Sequence, residues 1–412
     1  MLAILTTHPI QYQVPIWRGL AARGDVPFKV YFMSDQGLRA SFDPGFGRAL
    51  AWDIDLLSGY PHEFMDVHIG PQQDRFTWLR LKPGFIDRLR ADGVSVLWVN
   101  GWQVLAYWQA VRAAKRCGIE IWLRGETNRR SNRGGLAQSL KWLLLRRLLN
   151  RVDRFLTIGS ANRAFYLRLG YRREQMVMAP YGVDNRRFAE QAGAAQSARD
   201  ALRARWGIPS DAFCFLSVGK FVPKKRPLDL VAAVAELQRR LPQRRLHILW
   251  VGSGELAAAL QAGCAVAYDD AGGVRIPAPA DQRPAASFVG FINQSEIGKA
   301  YATADALVLP SDAKETWGLV VNEAMASGLP CVVSAACGCA EDLVQPLRPD
   351  LCFPVGDIDA LVNALAAVVG DPPPVEPLLR HIDHFDVART VEAVAALYHE
   401  RCAERAANQD GK

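Results

Sequence analysis

Short apolar runs rich in β-forming residues alternate with helical patterns along the whole chain. In the first half the strand candidates are LAILTTH, FKVYFMS, SVLWVN, IEIWLRG, RFLTIGS and MVMAPYG. In the second half they are CFLSVGK, LHILWVG, SFVGF, ALVLPS, CVVSAA and LCFPVG. Strand runs separated by helical stretches are typical of parallel sheets covered by helices, so the pattern predicts an α/β fold.

The alanine-rich polar stretch EQAGAAQSARDALRARWGIPSD lies between the two halves and ends in a turn. We therefore predict two doubly wound domains, residues 1–190 and 191–385. A final helix in residues 386–412 is expected to pack back towards the first domain. Ligands of such sheets bind beyond the carboxyl ends of the strands, which for two facing domains is the cleft between them.

The composition fits a globular enzyme, with 50% hydrophobic and 22% charged residues in 412. No apolar stretch reaches the roughly 18 residues that would span a bilayer, and the first residues do not resemble a secretion signal. The eight cysteines are scattered without CxxC pairs. We therefore expect reduced thiols in a cytoplasmic protein, and no metal site.

The formal net charge of +7 is unevenly distributed. Residues 124–173 hold thirteen basic and two acidic residues, a net charge of +11, so the rest of the chain carries about −4. Within this stretch, LAQSLKWLLLRRLLNRVDRFL has apolar residues at helical spacing, interleaved with Arg146, Arg147 and Arg151. It is either a covering helix with solvated arginines or, in addition, a face that docks on anionic lipid at the inner side of the membrane.

Two segments of the second half carry candidate chemistry. GLVVNEAMASG reads as a short helix between Gly318 and Gly328, and it places Glu323 among apolar residues. A buried carboxylate needs a polar partner. SVGKFVPKKRPLDLV reads as a strand, a lysine-rich loop and a helix, so Lys220 and Lys225 stand where an anion could bind.

These motifs, in this order and at these intervals, resemble the retaining glycosyltransferases of family 4. That family has the GT-B architecture, two doubly wound Rossmann-like domains facing each other across a cleft. The resemblance rests on SVGKFVPKKRPLDLVAAV, ILWVGSGEL, SFVGFI, YATADALVLPSDAKETWGLVVNEAMASGLPCVVSAACGCAEDLV and LCFPVGDIDALVNAL, most of residues 214–366. A weaker match, RFLTIGSANRAFYLRLGYRREQMVMAPYGVDNRRF, closes the first domain.

The resemblance implies roles for both glutamates of the E-x7-E motif. Glu323 would accept hydrogen bonds from the ribose of the nucleotide, and Glu315 would reach the transferred sugar. Phe291, in SFVGFI, is implied as a further donor-binding residue.

The resemblance also implies how the leaving diphosphate is held. Lys220 and Lys225 match the family's basic pair, which neutralises it. Gly318, Leu319 and Val320 would offer it the free amides of a helix start.

The chain departs from the family pattern at two places. The family usually has glycine after its second basic residue, where this chain has Arg226. Many members have a histidine after the fifth strand of the first domain, where this chain reads IWLRGETN. Arg124, Glu126 and His8 are the acceptor-side candidates, although a histidine before proline is more often structural.

The implied function is retaining transfer of a hexose-type sugar, from a UDP or GDP sugar as co-substrate, to a saccharide or lipid-linked saccharide. No DxD pair stands in a suitable loop, so we expect no metal and no other cofactor. The expected setting is cell-envelope or exopolysaccharide synthesis. The alternatives are a GT-B epimerase or hydrolase, a catalytically inactive partner subunit, and a basic nucleic-acid binder. The basic stretch has no recognisable nucleic-acid reading motif, so we expect no nucleic-acid partner.

Overall fold

The computed structural model describes residues 1–68, 79–128, 136–275 and 282–410. Within them, in chain order, the strands are β1 Leu2–Thr6, β2 Phe28–Phe32, β3 Ser41–Asp43, β4 Arg48–Leu50, β5 His62–Phe64, β6 Val67–His68, β7 Arg80–Leu81, β8 Val96–Val99, β9 Glu120–Leu123, β10 Arg154–Thr157, β11 Met176–Met178, β12 Phe213–Val218, β13 Leu246–Val251, β14 Ala265–Asp269, β15 Gly273–Val274, β16 Ala285–Phe288, β17 Ala306–Leu309, β18 Cys331–Ser334 and β19 Cys352–Phe353. Every strand run predicted from the sequence overlaps one of these strands, although SFVGF covers only the last two residues of β16.

The helices lie between the strands and at the end of the chain. In chain order they are α1 Val14–Arg23, α2 Phe85–Ala91, α3 Leu105–Arg116, α4 Leu136–Leu149, α5 Ser160–Arg168, α6 Asn185–Gln196, α7 Arg199–Arg205, α8 Pro227–Arg240, α9 Ala257–Ala262, α10 Gly298–Thr303, α11 Leu319–Ala326, α12 Ile358–Gly370, α13 Val375–Ile382 and α14 Val387–Asp410.

The chain forms two compact units. The first comprises Met1–Arg39, Asp55–Tyr181 and Val387–Lys412, and the second comprises Ala40–Ile54 and Gly182–Asp386. The sequence-based boundaries were 190/191 and 385/386, so the division before α6 lies nine residues earlier than predicted. The prediction also assigned all of residues 1–190 to the first domain, whereas the segment Ala40–Ile54 belongs to the second unit.

The first unit is built on a parallel sheet of order β11-β10-β9-β8-β1-β2-β5. Strand β1, between β8 and β2, is buried at all five positions, which explains its mainly apolar sequence LAILT. Helix α14, at the end of the chain, packs on α1 within this unit, and Gly19 of α1 lies against Val391 of α14.

The second unit is built on a sheet of order β15-β14-β16-β13-β12-β17-β18-β19, which is parallel except for β15. β12 lies between β13 and β17, so the chain's crossovers run in opposite directions on the two sides of β12. In open parallel sheets, ligands bind beyond the carboxyl ends of the strands at such a switch point. The loops after β12 and β17 meet there, and they carry most of the residues singled out in the sequence.

Candidate donor site

Lys225 and Glu315 form the centre of this site, although they are distant in the sequence. Lys225 belongs to the loop after β12, and its Nζ lies 2.6 Å from Oε2 of Glu315 in the loop after β17. The amide of Asp312 donates to the carbonyl of Lys224 at 2.8 Å, so the two loops are also joined through their backbones. Both side chains of the ion pair are largely buried, with exposed fractions of 18% and 13%. Burial therefore keeps the two charged groups in fixed positions, where water solvates them only in part.

Helix α11 starts immediately after this ion pair. Gly318 precedes it with φ 113°, a left-handed backbone that favours glycine, and a Cβ there would lie 2.8 Å from Cδ2 of Leu309. The helix runs over Leu319–Ala326, and Gly328 follows it with φ 78°, so the predicted helix and its two glycine boundaries are confirmed. The amides of Leu319 and Val320 belong to its first turn, where no carbonyl of the helix can accept them.

Glu323 is buried within α11, with 1% of its surface exposed. Its Oε2 accepts a hydrogen bond from the hydroxyl of Tyr301 in α10, at 2.5 Å. The preceding residue of the helix, Asn322, accepts at Oδ1 from Nε1 of Trp317 at 2.8 Å, which ties α11 to the loop that carries Glu315. The buried carboxylate thus has the polar partner that its position requires.

Lys220 lies on the same edge of the sheet, but its partner is a residue of the β3–β4 hairpin. Its Nζ donates to Oδ2 of Asp43 at 2.9 Å. Phe291, after β16, packs edge-on against Phe46 of the same hairpin, with ring centroids 5.2 Å apart. Two of the predicted donor-binding residues are therefore in contact with residues 40–54.

Arg226, the departure from the family's glycine, adopts a left-handed backbone with φ 49° and ψ 44°. It lies directly before α8, and its guanidinium pairs with Asp229 through Nε–Oδ2 at 2.6 Å and Nη2–Oδ1 at 3.2 Å. The loop thus keeps a conformation that favours glycine although an arginine stands there.

Within the described residues, no group of three or more His, Cys, Asp or Glu side chains could hold a metal ion. The expectation of a reaction without metal stays a prediction. All eight cysteines lie in the described part of the chain and are free thiols.

Known proteins match both units. Residues 12–182 match the family described as Glycosyl transferase 4-like domain, and residues 212–371 match the family described as Glycosyl transferases group 1. The chain belongs to the family 4 glycosyltransferases. Sucrose-phosphate synthase from Thermosynechococcus elongatus has the same fold as this family 4 chain, with a TM-score of 0.68 over 98% of this chain and 99% of that one. At 19% identity this similarity shows the GT-B fold alone.

Two curated relatives of this family 4 chain are similar in sequence over part of their length. D-inositol 3-phosphate glycosyltransferase from Kineococcus radiotolerans is 35% identical over 170 residues, which are 40% of this chain and 35% of the relative. GDP-mannose-dependent alpha-mannosyltransferase from Mycobacterium tuberculosis is 32% identical over 232 residues, 55% of this chain and 51% of the relative. The chain thus spans about a third to a half of the length of these relatives.

The acceptor-side candidates of this family 4 chain lie in the first unit, and two of them meet at Tyr181. The guanidinium of buried Arg124 lies 5.3 Å from the ring centroid of Tyr181, and its Nη2 donates to the carbonyl of Pro180 at 3.2 Å. Oε1 of Glu126 accepts a hydrogen bond of 2.8 Å from the hydroxyl of Tyr181. Burial lowers the pKa of the Arg124 guanidinium.

His8, the third candidate, follows β1 in the first unit. Its Nδ1 lies 2.9 Å from Oγ1 of Thr7, and burial lowers its pKa from 6.5 to about 4. The imidazole is therefore neutral at physiological pH, and so low a pKa makes it a weak proton acceptor.

Sequence reasoning missed four residues that form hydrogen bonds with the predicted site residues or their neighbours in the two units: Tyr301, Trp317, Tyr181 and Asp43. The first three stand in segments that carry the family resemblance, and a search for polar partners there could have singled them out. No signal in the sequence indicated Asp43, because it lies 177 positions from Lys220.

Proposed function

We propose that the protein is a retaining glycosyltransferase that moves a hexose-type sugar from a nucleoside-diphosphate sugar to a saccharide or lipid-linked saccharide. UDP and GDP are the proposed carriers, and the name of the mannosyltransferase relative supports GDP as one of them. The proposed setting is cell-envelope or exopolysaccharide synthesis.

The observation that carries this proposal is the Lys225–Glu315 ion pair beside the start of α11. It sets a cation, a carboxylate and the free amides of a helix start side by side at the switch point of a parallel sheet. A nucleoside-diphosphate sugar offers matching chemistry, because its phosphates suit the cation and the amides and its sugar hydroxyls suit the carboxylate. Glu315 then positions the sugar, and Lys225 contacts the diphosphate.

The proposed reaction needs charge stabilisation more than acid–base catalysis. The bond from the anomeric carbon to the phosphate oxygen breaks while the bond to the acceptor oxygen forms on the same face. The departing phosphate takes the acceptor's proton. Lys220, Lys225 and the first amides of α11 stabilise the negative charge that grows on the leaving group.

Glu323 is proposed to hold the ribose. A carboxylate that accepts hydrogen bonds from a vicinal diol is satisfied there by charge-assisted bonds, which are shorter and stronger than neutral ones. Tyr301 supports this role, because its hydroxyl bond to Oε2 fixes the orientation of the carboxylate within the buried helix.

A lipid-linked acceptor is supported by the surface of α4. The structure describes the side chains of this helix from Trp142 onward, and Arg129, Arg130 and Arg133 of the basic stretch lie outside the described residues. Leu145, Leu148 and Leu149 are buried, but Leu143 and Leu144 are 58% and 47% exposed, and Arg146 and Arg147 are exposed next to them. Exposed leucines flanked by arginines fit an anionic membrane surface, where both the apolar and the charged groups gain contacts. No helix within the described ranges is long and apolar enough to cross a bilayer.

The decisive experiment combines donor binding with product analysis. UDP, GDP, ADP and their sugars are compared by thermal shift, since a ligand at a hundred times its Kd stabilises by about 2.7 kcal/mol. The stabilising donor is then incubated with saccharide acceptors, and NMR gives the anomeric configuration of the product. We expect retention and activity in the presence of EDTA. Free sugar released without an acceptor would instead favour a hydrolase, and tight, salt-dependent DNA or RNA binding would favour a nucleic-acid binder.

Variants of the lysine loop test the roles within the site. Lys225→Ala is expected to lower kcat more than it weakens donor binding, because the leaving-group charge is largest in the transition state. Lys224→Ala is the matched control, since it removes the same charge from the neighbouring position of the same loop. Equal kcat in the two variants would contradict the role of Lys225.

A further inference from the structure

The β3–β4 hairpin, residues 40–54, is anchored to the second unit at its base. Nδ2 of Asn293 donates to the carbonyl of Ala51 at 2.8 Å, and the amide of Ser295 donates to Oδ1 of Asp53 at 3.2 Å. The ring of Trp52 packs on Phe291, with centroids 6.2 Å apart. None of these contacts at the base involves Lys220.

The tip of the hairpin closes around Lys220. Oδ2 of Asp43 accepts from Nζ of Lys220, while Oδ1 accepts from the amides of Gly45 and Phe46 at 2.8 and 3.2 Å. Nζ also lies 5.0 Å from the centroid of the Phe46 ring. A Cβ on Gly45 would lie 2.6 Å from Cδ of Lys220, so the backbone of the turn touches the lysine stem.

Asp43 carries a negative charge where the proposed function puts a phosphate. Partial burial alone would raise its pKa, but the hydrogen bond and charge of Lys220, with the two turn amides, lower the pKa overall, so the carboxylate is ionised at neutral pH. The side chains of Lys220 and Asp43 are 36% and 32% exposed. An exposed pair of this kind shifts an equilibrium by about fivefold at most, so a diphosphate can displace it.

We propose that Asp43 is a donor-site residue that competes with the diphosphate for Lys220. The carboxylate occupies the ammonium until a phosphate oxygen replaces it, while the hairpin stays anchored through its base and through Phe46, whose carbonyl accepts from Oγ of Ser253 and whose ring packs on Phe291. Ligands without a diphosphate do not make this exchange, so Asp43 weakens the binding of diphosphates and leaves the binding of nucleosides unchanged. This inference rests on the proposed role of Lys220 in binding the donor.

The test is a double-mutant cycle with UDP, GDP and ADP as probes, measured by calorimetry on the full chain. Asp43→Asn removes the charge but keeps an oxygen for the amides of Gly45 and Phe46. We expect it to bind the preferred diphosphate about twofold to fivefold more tightly than the wild type. In a Lys220→Met background the same substitution is expected to change nothing. The matching nucleoside, which has no phosphate, is expected to bind both proteins equally.

Asp53→Asn is the matched control, since it removes the same charge at the base of the hairpin, away from Lys220. It is expected to leave diphosphate affinity unchanged. Equal or weaker binding by Asp43→Asn, or the same gain in the Lys220→Met background, would overturn the competition while the proposed function stands. A wild-type protein that binds none of the three diphosphates would instead contradict the proposed function itself, and the competition with it.

Discussion

Arg226 has a backbone conformation that costs an L-amino acid free energy. Among the residues that the structure describes, it is the one non-glycine residue with positive φ. The left-handed region costs about 1–2 kcal/mol for such residues, and here the pair with Asp229 offsets part of that cost. The arginine is therefore tolerated where the family usually has glycine.

The left-handed backbone at position 226 predicts an order of stability for two variants. Both Arg226→Gly and Arg226→Ala lose the ion pair, but only alanine keeps the backbone strain. We expect Arg226→Gly to be more stable than Arg226→Ala by about 1 kcal/mol in denaturant unfolding. Equal unfolding free energies for the two variants would show that the loop relaxes without strain.

The Tyr301–Glu323 hydrogen bond predicts two separable effects. Tyr301→Phe leaves a buried carboxylate oxygen without its donor and should lower the free energy of unfolding by about 1–3 kcal/mol. Glu323→Ala also removes the proposed ribose contacts, each on the order of 1.5–3 kcal/mol, so it should nearly abolish nucleotide binding, whereas Glu323→Gln should retain part of it. Thermal unfolding with and without UDP or GDP measures both effects. Unchanged nucleotide affinity in both Glu323 variants would remove the ribose role from this residue.

Strand β13 contains a buried histidine that should make stability depend on pH. His247 is fully buried, and its Nε2 lies 2.8 Å from Oγ of Ser287. That hydroxyl donates to the carbonyl of Trp206 at 2.5 Å, so Nε2 must be the protonated donor of a neutral ring. Burial and the charge of Arg203 lower the pKa of His247 from 6.5 to about 3.

The sign of the effect follows from this lowered pKa. Between pH 6.5 and about 3 the unfolded chain binds a proton at His247 and the folded chain does not, so stability falls as the pH falls. One such group contributes a slope of about 1.4 kcal/mol per pH unit in this window. His247→Gln, which keeps a donor, should flatten the dependence of unfolding free energy on pH, whereas His384→Gln at an exposed position should not. Parallel pH curves for wild type and His247→Gln would contradict the assignment.

The distribution of charge over the whole molecule predicts salt-dependent binding to an anionic membrane. The stretch 124–173 carries +11 in a protein of net charge +7, and α4 exposes Leu143 and Leu144 within it. Each basic residue near an anionic surface adds roughly 1 kcal/mol to binding, and salt weakens this contribution. We expect co-sedimentation with liposomes that contain anionic lipid at low salt, and progressive release as salt rises.

Matched variants distinguish binding through the exposed residues of α4 from binding through the overall positive charge of the protein. Replacing Arg146, Arg147 and Arg151 by glutamine, or Leu143 and Leu144 by serine, should weaken sedimentation. Arg244→Gln with Arg245→Gln removes exposed charge outside the stretch 124–173, and Leu228→Ser removes an exposed leucine of the second unit. These controls should sediment like the wild type. No sedimentation at low salt would leave a soluble or protein acceptor as the substrate.

The strands and the order of the elements follow from local chemistry and could be predicted. Strands that are buried on both faces are mainly apolar, so runs such as LAILT and LHILWV can be recognised as strands from the sequence alone. In contrast, β14, with the sequence AVAYD, was missed because its alanines have low β propensity and its pairing with β16 holds it in place. Lys225 and Glu315 could be assigned to one donor site through the family resemblance, but their ion pair was not predicted.

The partners of the polar side chains were decided by the tertiary structure. Lys220 binds Asp43 because residues 40–54 leave the first unit and pack with the second, and no periodicity encodes the path of that segment. Leu143 and Leu144 are exposed because only one face of α4 packs, although the leucines of the helix look alike in the sequence. The hydrophobic pattern of a sequence predicts which residues are buried, because the free energy gained on burial depends on each residue's own apolar surface. An ion pair depends on two residues whose distance is fixed only when the whole chain has folded.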